Sequence, residues 1–412
     1  METKKPLLII LIIVAVSVIA IIAGCKKNND PQKDNNKKSI VLPDSTMFVS
    51  KDTLTINSNG YFYTTTIYLL DAAKGSSVAT YSYPPDAKSL WCIPLVGNGF
   101  LYAVESNKIN AININTGAVL WTDSVNNDPL PILHNDTFYG VYFNTGVDYV
   151  YALDATKQSN TFLWKYQEAS DGSDYSVNYY NGIVYISKFT NTGSNLTALD
   201  AKTGTVKWMI NGPYSVSSIN NGIILVGNMI IDAASGGQIA TVPTSLGPAY
   251  SIFYASQNLF FTYSRTSQLN VNAYNITTDA LKWTVNAGAI NNDTTKSIAQ
   301  MQIWNNQLIA ETQNTVYATI GYQGSIQPIY NGYTLNAWDI STGQQKWNNV
   351  PNFVSDFLIV NNTLYAEPIA AFDLYTGKKK WSWSNLYINY YDGSVSNMCV
   401  FASGKAYSSH IQ

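Results

Sequence analysis

Hydrophobic and polar positions alternate through the chain from about residue 47 to its end, in short segments separated by turn residues. This two-residue period is typical of β-strands that bury one face. Asn-Gly pairs divide several of the segments, as at Asn98-Gly99, Asn181-Gly182 and Asn221-Gly222. Such a pair between alternating segments predicts a β-hairpin. No helical period of useful length follows Cys25, so the pattern predicts an all-β protein.

A second turn motif follows each hairpin, and its clearest copy runs from Leu199 to Trp208. In the full pattern an Asp or Asn ends one strand, a Gly follows four residues later, and a Trp lies eight residues after the Asp or Asn. The copy at Asn275 has Asp279 in place of the Gly, and the copy from Asp154 to Trp164 carries a two-residue insertion. The Asp or Asn side chain caps the turn, and the Gly supplies a positive φ. Eight copies occur, with their first residue at Asp71, Asn113, Asp154, Asp200, Asp232, Asn275, Asp339 and Asp373.

Six of the eight copies keep the Trp, whose large apolar ring is suited to cover a neighbouring unit. The copies that begin at Asp71 and Asp232 have Ala79 and Ala240 instead. We expect the indoles to dock one unit on the next, at Trp121, Trp164, Trp208, Trp283, Trp347 and Trp381.

Two hairpins in each copy make a four-stranded antiparallel unit, and such units close radially into a propeller. The sequence therefore predicts an eight-bladed β-propeller of four-stranded antiparallel blades over residues 47–412, with seven blades or an irregular nine as alternatives. A ninth hairpin, around Ser403-Gly404, has no second half after it. We expect strands near Met398–Ser408 to join the first blade and close the ring.

The N-terminal segment has the pattern of an export signal. Lys4 and Lys5 precede an apolar run that ends before Cys25. The small residues before this cysteine resemble the lipobox of bacterial lipoproteins, which implies an acylated thiol and cleavage before it. We expect a signal peptide at residues 1–24, lipidation of Cys25, which ties the protein to a membrane, and a flexible tether at residues 25–46. A plain transmembrane anchor is the alternative.

Composition restricts the chemistry. Charged residues make up 12% of the chain, the net charge is −2, and Arg265 is the one arginine. This balance argues against a nucleic-acid partner. The two histidines and three cysteines exclude a multi-histidine metal centre and a disulfide scaffold. His134 falls in a predicted hairpin turn, where we expect it to be solvated.

The Ala-x-Asp-x-x-Thr-Gly-x-x-x-Trp pattern resembles the PQQ-type repeat of quinoprotein alcohol dehydrogenase-like propellers, over roughly residues 47–408. That family includes calcium- and quinone-dependent dehydrogenases. It also includes non-enzymatic members such as the lipoprotein B subunit of the outer-membrane β-barrel assembly machine, to which this chain is similar. In both branches the repeat is structural, so the resemblance implies a fold and not a reaction.

The resemblance implies that a dehydrogenase would sandwich its quinone between a Trp and a disulfide of adjacent cysteines. Cys92 and Cys399 are isolated, and we expect them to be buried apolar residues, with a disulfide between them as an alternative. A quinone-dependent dehydrogenase is therefore a remote alternative. We expect no catalytic residue, cofactor or metal.

One face of the propeller is expected to carry loops of variable length. In the seventh copy 33 residues separate Asn306 from Asp339, and loops longer than about 15 residues usually have a role. Aromatic residues in this insertion and after Trp164 and Trp381 could form a contact surface for protein or for sugar rings. The alternative is that tyrosines fill strands, as elsewhere in this Tyr-rich chain. The candidate binding face comprises Tyr175, Tyr179, Tyr180, Tyr317, Tyr322, Tyr330, Tyr333, Trp383, Tyr387, Tyr390 and Tyr391.

The sequence thus favours a non-enzymatic, lipid-anchored scaffold that binds other proteins of the bacterial cell envelope. The outer membrane, with a role in outer-membrane protein assembly, is the expected setting. A surface lipoprotein that binds glycan or another ligand is the alternative. Periplasmic and cell-surface orientations both fit the sequence.

Overall fold

The computed structural model describes residues 45–408 except for 58–59, 83–92, 98–99, 106–107, 125–130, 145, 158–161, 170–173, 191–192, 213–215, 221, 228, 243–253, 257, 266–267, 290–294, 320–325, 350–356, 367–369, 383–395 and 403–404. These residues belong to the second of the two units of the chain, residues 40–412. The predicted signal peptide, Cys25 and most of the predicted tether lie outside the described residues.

Every described element is a β-strand, and the strands follow one another in groups along the chain. The first half contains β1 (Ser45–Asn57), β2 (Gly60–Asp71) and β3 (Ser77–Ser82); β4 (Ile93–Gly97), β5 (Phe100–Glu105), β6 (Lys108–Asn113) and β7 (Val119–Ser124); β8 (Ile132–His134), β9 (Thr137–Asn144), β10 (Val147–Asp154) and β11 (Phe162–Ala169); β12 (Asp174–Tyr180), β13 (Ile183–Thr190), β14 (Gly193–Asp200) and β15 (Val206–Asn211).

The second half continues in the same way. It contains β16 (Val216–Asn220), β17 (Ile223–Val226), β18 (Met229–Asp232) and β19 (Gln238–Thr241); β20 (Tyr254–Ser256), β21 (Leu259–Arg265), β22 (Gln268–Asn275) and β23 (Leu281–Ala289); β24 (Thr295–Trp304), β25 (Gln307–Thr319), β26 (Ile326–Asp339) and β27 (Gln345–Asn349); β28 (Phe357–Val360), β29 (Thr363–Ala366), β30 (Ala370–Asp373) and β31 (Lys379–Ser382); and finally β32 (Ser396–Ala402) and β33 (Lys405–Ser408).

These strands form eight antiparallel sheets, which are the eight blades of a β-propeller. Blades 2 to 8 are four-stranded meanders in chain order, from β4–β7 to β28–β31. The predicted fold class and the predicted blade number are confirmed. Several turns between first and second strands have the left-handed backbone expected of hairpins, with positive φ at Asn135, Asn181 and Asn361.

Blade 1 is completed by the C-terminal strands, in the order β3-β2-β1-β32-β33. Phe48 of β1 lies opposite Cys399 of β32, so the predicted closure near Met398–Ser408 is confirmed. The blade has five strands instead of four, because β33 adds to the free side of β32. This strand also contacts β4 of blade 2 and β28 of blade 8, which places it at the inner end of the blade, beside the propeller axis.

Among the described residues the hydrophobic core forms eight clusters, and each cluster joins two consecutive blades. Val49 and Leu70 of blade 1, for example, share a cluster with Leu358 and Tyr365 of blade 8. The ring is therefore closed by apolar packing as well as by strand pairing. Burial of such surface stabilises a fold by roughly 25 cal/mol per Å².

The motif tryptophans lie in these clusters, against the next blade. The indole of Trp164 covers Gly204, where a Cβ would come within 2.6 Å of the ring. Its Nε1 donates to the main-chain oxygen of Ala201, 2.9 Å away. Equivalent bonds join Trp208 to Ala233, Trp283 to Ile340, Trp347 to Leu374 and Trp381 to Ala72.

Blade 1 lacks this Trp, and the sequence motif missed the residue that replaces it. The ring of Tyr81, two positions after Ala79 on the same strand, covers Gly117 of blade 2. Its hydroxyl donates to the oxygen of Ile114 at 2.8 Å, the acceptor position that the indoles use in other blades. In blade 5 the buried Val242 lies two residues after Ala240, just past the end of β19, and packs with Ile276.

Candidate interaction face

The Asp-Gly turns lie on one face of the ring, which we call the turn face. The turns between the second and third strands of the blades lie on the opposite face, the loop face. These assignments follow from strand direction, since each Asp ends the third strand of its blade. The hairpin at Asn59-Gly60 is an exception to the predicted pattern. Because β32 is the first strand of blade 1, this hairpin joins the second and third strands and belongs to the loop face.

The turns of the turn face resemble one another, because in each the polar groups form hydrogen bonds within the turn. Oδ1 of Asp339 accepts bonds from the amides of Ser341 and Thr342 and from both of their hydroxyls. Led by the Ser341 hydroxyl, these donors hold the pKa of Asp339 well below its usual range. The amide of Gly343 donates to the main-chain oxygen of Asp339 at 2.9 Å and so closes the turn. Such turns stabilise the blade and leave little hydrogen-bonding capacity for a ligand.

The loop face is uneven, because the hairpins of two blades are much longer than the others. In blade 7, β25 and β26 have 13 and 14 residues, and in blade 1, β1 and β2 have 13 and 12. In blade 8, which lies between them, β29 and β30 have only four residues each. The two long hairpins therefore flank a low blade.

Both long hairpins extend past the sheets from which they arise. In blade 1, β32 pairs with β1 only as far as Lys51, and β3 pairs with β2 only from Thr66 onward. Residues 52–57 and 60–65 then pair only with each other among the described strands. Six residues at about 3.3 Å each make this extension roughly 20 Å long. In blade 7, residues 316–319 and 326–329 form the corresponding extension.

The long insertion of the seventh copy was expected to be a loop, and that expectation is wrong. Val316 lies opposite Ile329 and Tyr317 lies opposite Pro328, so the insertion continues the β25–β26 ladder. A register shift between Gln313 and Thr315 interrupts the alternation. This irregularity explains why the sequence pattern did not read as a strand.

The candidate aromatic residues whose side chains the structure describes do not lie together on one surface. Tyr175 and Tyr333 are buried, with 6% and 2% of their surface exposed. Both were expected on the binding face, and that expectation is wrong, because each packs into a seam between blades. The hydroxyl of Tyr175 donates to Oδ2 of Asp148 at 3.0 Å.

Tyr179 and Tyr180 are half-buried at the other end of the same strand, next to the turn face. They were predicted to lie with Tyr175 in one loop. All three instead belong to β12, in which Tyr179 and Tyr180 lie four and five residues after Tyr175. Tyr179 stacks on His134 with ring centroids 3.8 Å apart. His134 is therefore not the solvated turn residue that was expected, and burial lowers the pKa of its imidazole.

The remaining candidates divide into two groups. Tyr317 and Tyr330 lie in the extended β25–β26 hairpin. The others lie outside the described residues, and they are Tyr322, Trp383, Tyr387, Tyr390 and Tyr391. Cys92 also lies outside them, and Cys399 lies in β32.

Two further properties bear on chemistry. Among the described residues, no three His, Cys, Asp or Glu side chains come together as a metal-binding group. Within the same part of the chain, no helix has the length and apolar character needed to cross a membrane.

Comparison with known proteins gives the following likenesses. The family model described as outer membrane protein assembly factor BamB matches residues 105–383, more than half of the chain. Among solved structures, BamB from Moraxella catarrhalis is similar at 12% identity and a TM-score of 0.45, over 76% of this chain and 92% of that one. No curated protein matches the chain.

Two solved enzymes are also similar. Quinohemoprotein alcohol dehydrogenase ADHIIG from Pseudomonas putida HK5 is 14% identical, with a TM-score of 0.38 over 86% of this chain and 69% of that one. Dihydro-heme d1 dehydrogenase NirN is 10% identical, with a TM-score of 0.50 over 84% of this chain and 74% of that one. At such identities a likeness concerns the fold alone.

Proposed function

From the premise that the chain belongs to the outer membrane protein assembly factor BamB family, we propose that it is a non-enzymatic scaffold of the bacterial cell envelope. Its role is to hold other envelope proteins in position during outer-membrane protein assembly. The observation that carries this proposal is the pair of long hairpins on the loop face, in blades 1 and 7. They make one side of an otherwise repetitive ring distinct, as a specific docking surface requires.

The free sides of these hairpins support a protein partner in preference to a small ligand. Each extension presents strand edges whose main-chain groups pair with no described strand. Edges of this kind are used to bind other polypeptides, and proteins that bind none usually shorten or cover them. Glycan binding, the alternative function, has less support, because two of the aromatic residues proposed for it, Tyr175 and Tyr333, are buried.

The centre of the ring supports a non-enzymatic role. In blade 1 the inner strand is β33, which touches the inner strands of both neighbouring blades. Main chain of the protein itself therefore lies beside the axis, where a propeller has its central channel.

Membrane attachment through an acylated Cys25 belongs to the same proposal. The thiol follows the apolar segment, and residues 26–44 supply up to roughly 65 Å of extended chain before β1 begins. Replacement of Cys25 by Ser is expected to release the protein from membranes. Continued sedimentation of Cys25→Ser with membranes would instead favour a transmembrane anchor.

The scaffold role is tested by shortening one long hairpin. Thr315 and Tyr330 lie opposite each other, so replacing residues 316–329 with Asn-Gly leaves a two-residue turn between them and keeps the pairing of β25 with β24. The control is Thr192→Gly, which places an Asn-Gly turn on the loop face of blade 4 without shortening its hairpin. Both variants are expected to melt at the temperature of the parent protein.

Each variant is then expressed in cells that lack the native gene. The shortened variant is expected to lose chemical crosslinks to outer-membrane assembly proteins and to leave folded β-barrel proteins depleted in the outer membrane. Thr192→Gly is expected to restore both. Full restoration by the shortened variant would contradict the proposed use of this hairpin, and no depletion in cells without the gene would contradict the assembly role.

A further inference from the structure

The turn of blade 8 carries more positive charge than the equivalent turn of any other blade. From Asp373 to Lys380 it contains one Asp and three Lys, which gives a net charge of +2. The corresponding segments of the other seven blades have net charges between −1 and +1. Because the whole chain has a net charge of −2, this positive charge is a local feature of the turn face.

Two of the three lysines are available to an external partner. The ammonium group of Lys380 already lies 3.7 Å from Oδ2 of Asp373 and donates to the Thr363 hydroxyl at 2.7 Å. Lys378 and Lys379 are exposed, and their ammonium groups form no ion pair with a described carboxylate. They therefore leave positive charge that the turn does not neutralise.

An exposed aromatic ring lies beside these lysines. Tyr375 belongs to the same turn and has 57% of its surface exposed. Its ring meets the half-buried ring of Trp304, in blade 7, at 73° with centroids 4.9 Å apart. Tyrosine and tryptophan have an apolar ring and a polar end, and they are enriched where a protein meets the headgroups of a membrane. Lysine beside such rings is typical of surfaces that bind anionic lipid.

The chain that precedes the propeller reaches it next to this turn. β1 begins at Ser45, whose main-chain oxygen accepts a bond from the amide of Ala72 in the turn of blade 1. The indole of Trp381, in blade 8, covers Gly75 of that turn. The turns of blades 1 and 8 are therefore neighbours. Any membrane anchor that precedes β1 consequently pulls on the part of the turn face that contains the lysines.

The charge of the preceding segment bears on what covers the lysines. Residues 26–44 contain five Lys and three Asp, a net charge of +2. A segment of this charge is repelled by the turn of blade 8 and is attracted, as that turn is, to an anionic surface. The sequence therefore favours a membrane over the preceding segment as the occupant.

We propose that a lysine patch on the turn face, formed by Lys74, Lys378, Lys379 and Tyr375, binds the anionic headgroups of the membrane that anchors the protein. The inference rests on the membrane attachment proposed above. Lys74 belongs to the turn of blade 1, where its side chain is 76% exposed beside Asp71. Lysines near an anionic leaflet each add a modest attraction, which is effective here because an anchor keeps the patch close to the surface.

This contact would set the orientation of the propeller. With the turn face against the lipid, the loop face and its two long hairpins point away from the membrane. Envelope proteins then reach those hairpins without competing with the lipid surface.

Lysine labelling on vesicles tests the contact. The acylated protein is incorporated into neutral vesicles of phosphatidylcholine, or into anionic vesicles of phosphatidylethanolamine and phosphatidylglycerol, and is labelled with an amine-reactive ester. Lys74, Lys378 and Lys379 are expected to react more slowly on the anionic vesicles, by about threefold or more. This protection should disappear in about 1 M sodium chloride, where the Debye length is about 3 Å. Lys202 and Lys282, exposed at the turns of blades 4 and 6, should react equally on both vesicles.

Reversal of charge gives a second measurement, made on Lys74. The double variant Lys378→Glu with Lys379→Glu is expected to abolish the protection of Lys74 on anionic vesicles. The matched control is Lys202→Glu with Lys282→Glu, which makes the same change of charge elsewhere on the turn face and should preserve that protection. All four substituted lysines are exposed, so both variants are expected to fold.

Flotation of the vesicles separates failure of the patch from failure of the anchor. If the protein floats with both kinds of vesicle but the three lysines of the patch react equally on both, the contact is overturned and the anchor stands. An acidic protein would then be the better partner for these lysines. Flotation with neither kind would contradict the anchor and, with it, the contact that depends on it.

Discussion

The Nε1 atom of Trp347 donates to the main-chain oxygen of Leu374, 2.7 Å away in the next blade. In the same contact the indole lies over Gly377, where a Cβ would approach the ring to 2.5 Å. The Trp and the Gly of the repeat are thus two halves of one joint, contributed by consecutive blades. A change to either half should therefore weaken the contact between two blades.

Gly377→Ala is expected to destabilise the protein by about 2–4 kcal/mol. Gly377 has a φ of +67°, which costs another residue roughly 1–2 kcal/mol, and the added methyl must also displace an indole. The matched control is Gly222→Ala, at a φ of +77°, where the methyl group would have no atom within 4 Å apart from those of its own residue and its two chain neighbours. It is expected to lose only the backbone part, roughly 1–2 kcal/mol. Urea unfolding measures both, and equal losses would show that Trp347 gives way at little cost.

Tyr81→Phe is expected to lose about 1 kcal/mol, because it removes the hydroxyl that binds the Ile114 oxygen. Tyr81→Ala is expected to lose about 3–5 kcal/mol, since it removes the ring that covers Gly117. Tyr375→Phe changes an exposed tyrosine and serves as the control, with no expected loss. If Tyr81→Ala unfolded at the same urea concentration as Tyr375→Phe, Tyr81 would not replace the missing tryptophan.

Acid is expected to weaken the turn face. Donors led by the Ser341 hydroxyl lower the pKa of Asp339 in the folded protein. A carboxyl with a lowered folded-state pKa stabilises the fold above its unfolded value, near 3.9, and loses that contribution as the pH falls from there toward the folded value. Asp339→Asn copies the turns at Asn113 and Asn275. Its melting temperature is therefore expected to fall less than that of the parent between pH 5 and pH 2.5. Parallel curves for the two proteins would mean that Asp339 has no part in acid unfolding.

Removal of the C-terminal strands is expected to have graded effects. A chain ending at Ala402 loses only β33, and should keep cooperative unfolding at a moderately lower melting temperature. A chain ending at residue 395 also loses β32, which leaves the inner side of β1 unpaired and opens blade 1. This chain is expected to lose cooperative unfolding and to become sensitive to protease. A chain ending at Ser408 is the control, and full stability of the chain ending at 395 would show that β32 does not close the ring.

The repeat could be predicted from the sequence because its signal is local. An Asp or Asn, a Gly and a Trp at fixed spacing describe one turn and the start of one strand, as at Asp200, Gly204 and Trp208. The blade number and the closing strands follow from counting such turns. Tyr81 was missed because it lies two residues beyond the Trp position, where only contact with blade 2 reveals its role.

The prediction of the interaction face was less accurate. The face of the ring on which a residue lies depends on its position along its strand and on the direction of that strand. Tyr175 and Tyr179 are close in sequence, but they belong to opposite ends of β12. Tyr175 is buried because its ring packs in the seam between blades 3 and 4, where its hydroxyl donates to Asp148 of the preceding blade. No spacing rule contains this contact. The β25–β26 hairpin was taken for a loop because its register shift breaks the alternation.

The pairing of β1 with β32 also fixes when the protein can finish folding. Strands β32 and β33 follow blade 8 along the chain, so the ring stays open until all the other blades have been synthesised. Until then blades 1 and 8 each expose an unpaired apolar flank, and contacts of such large sequence separation form slowly. A nascent chain must therefore be kept from aggregating as an open row of sheets, and a chain that stops before β32 cannot close its ring.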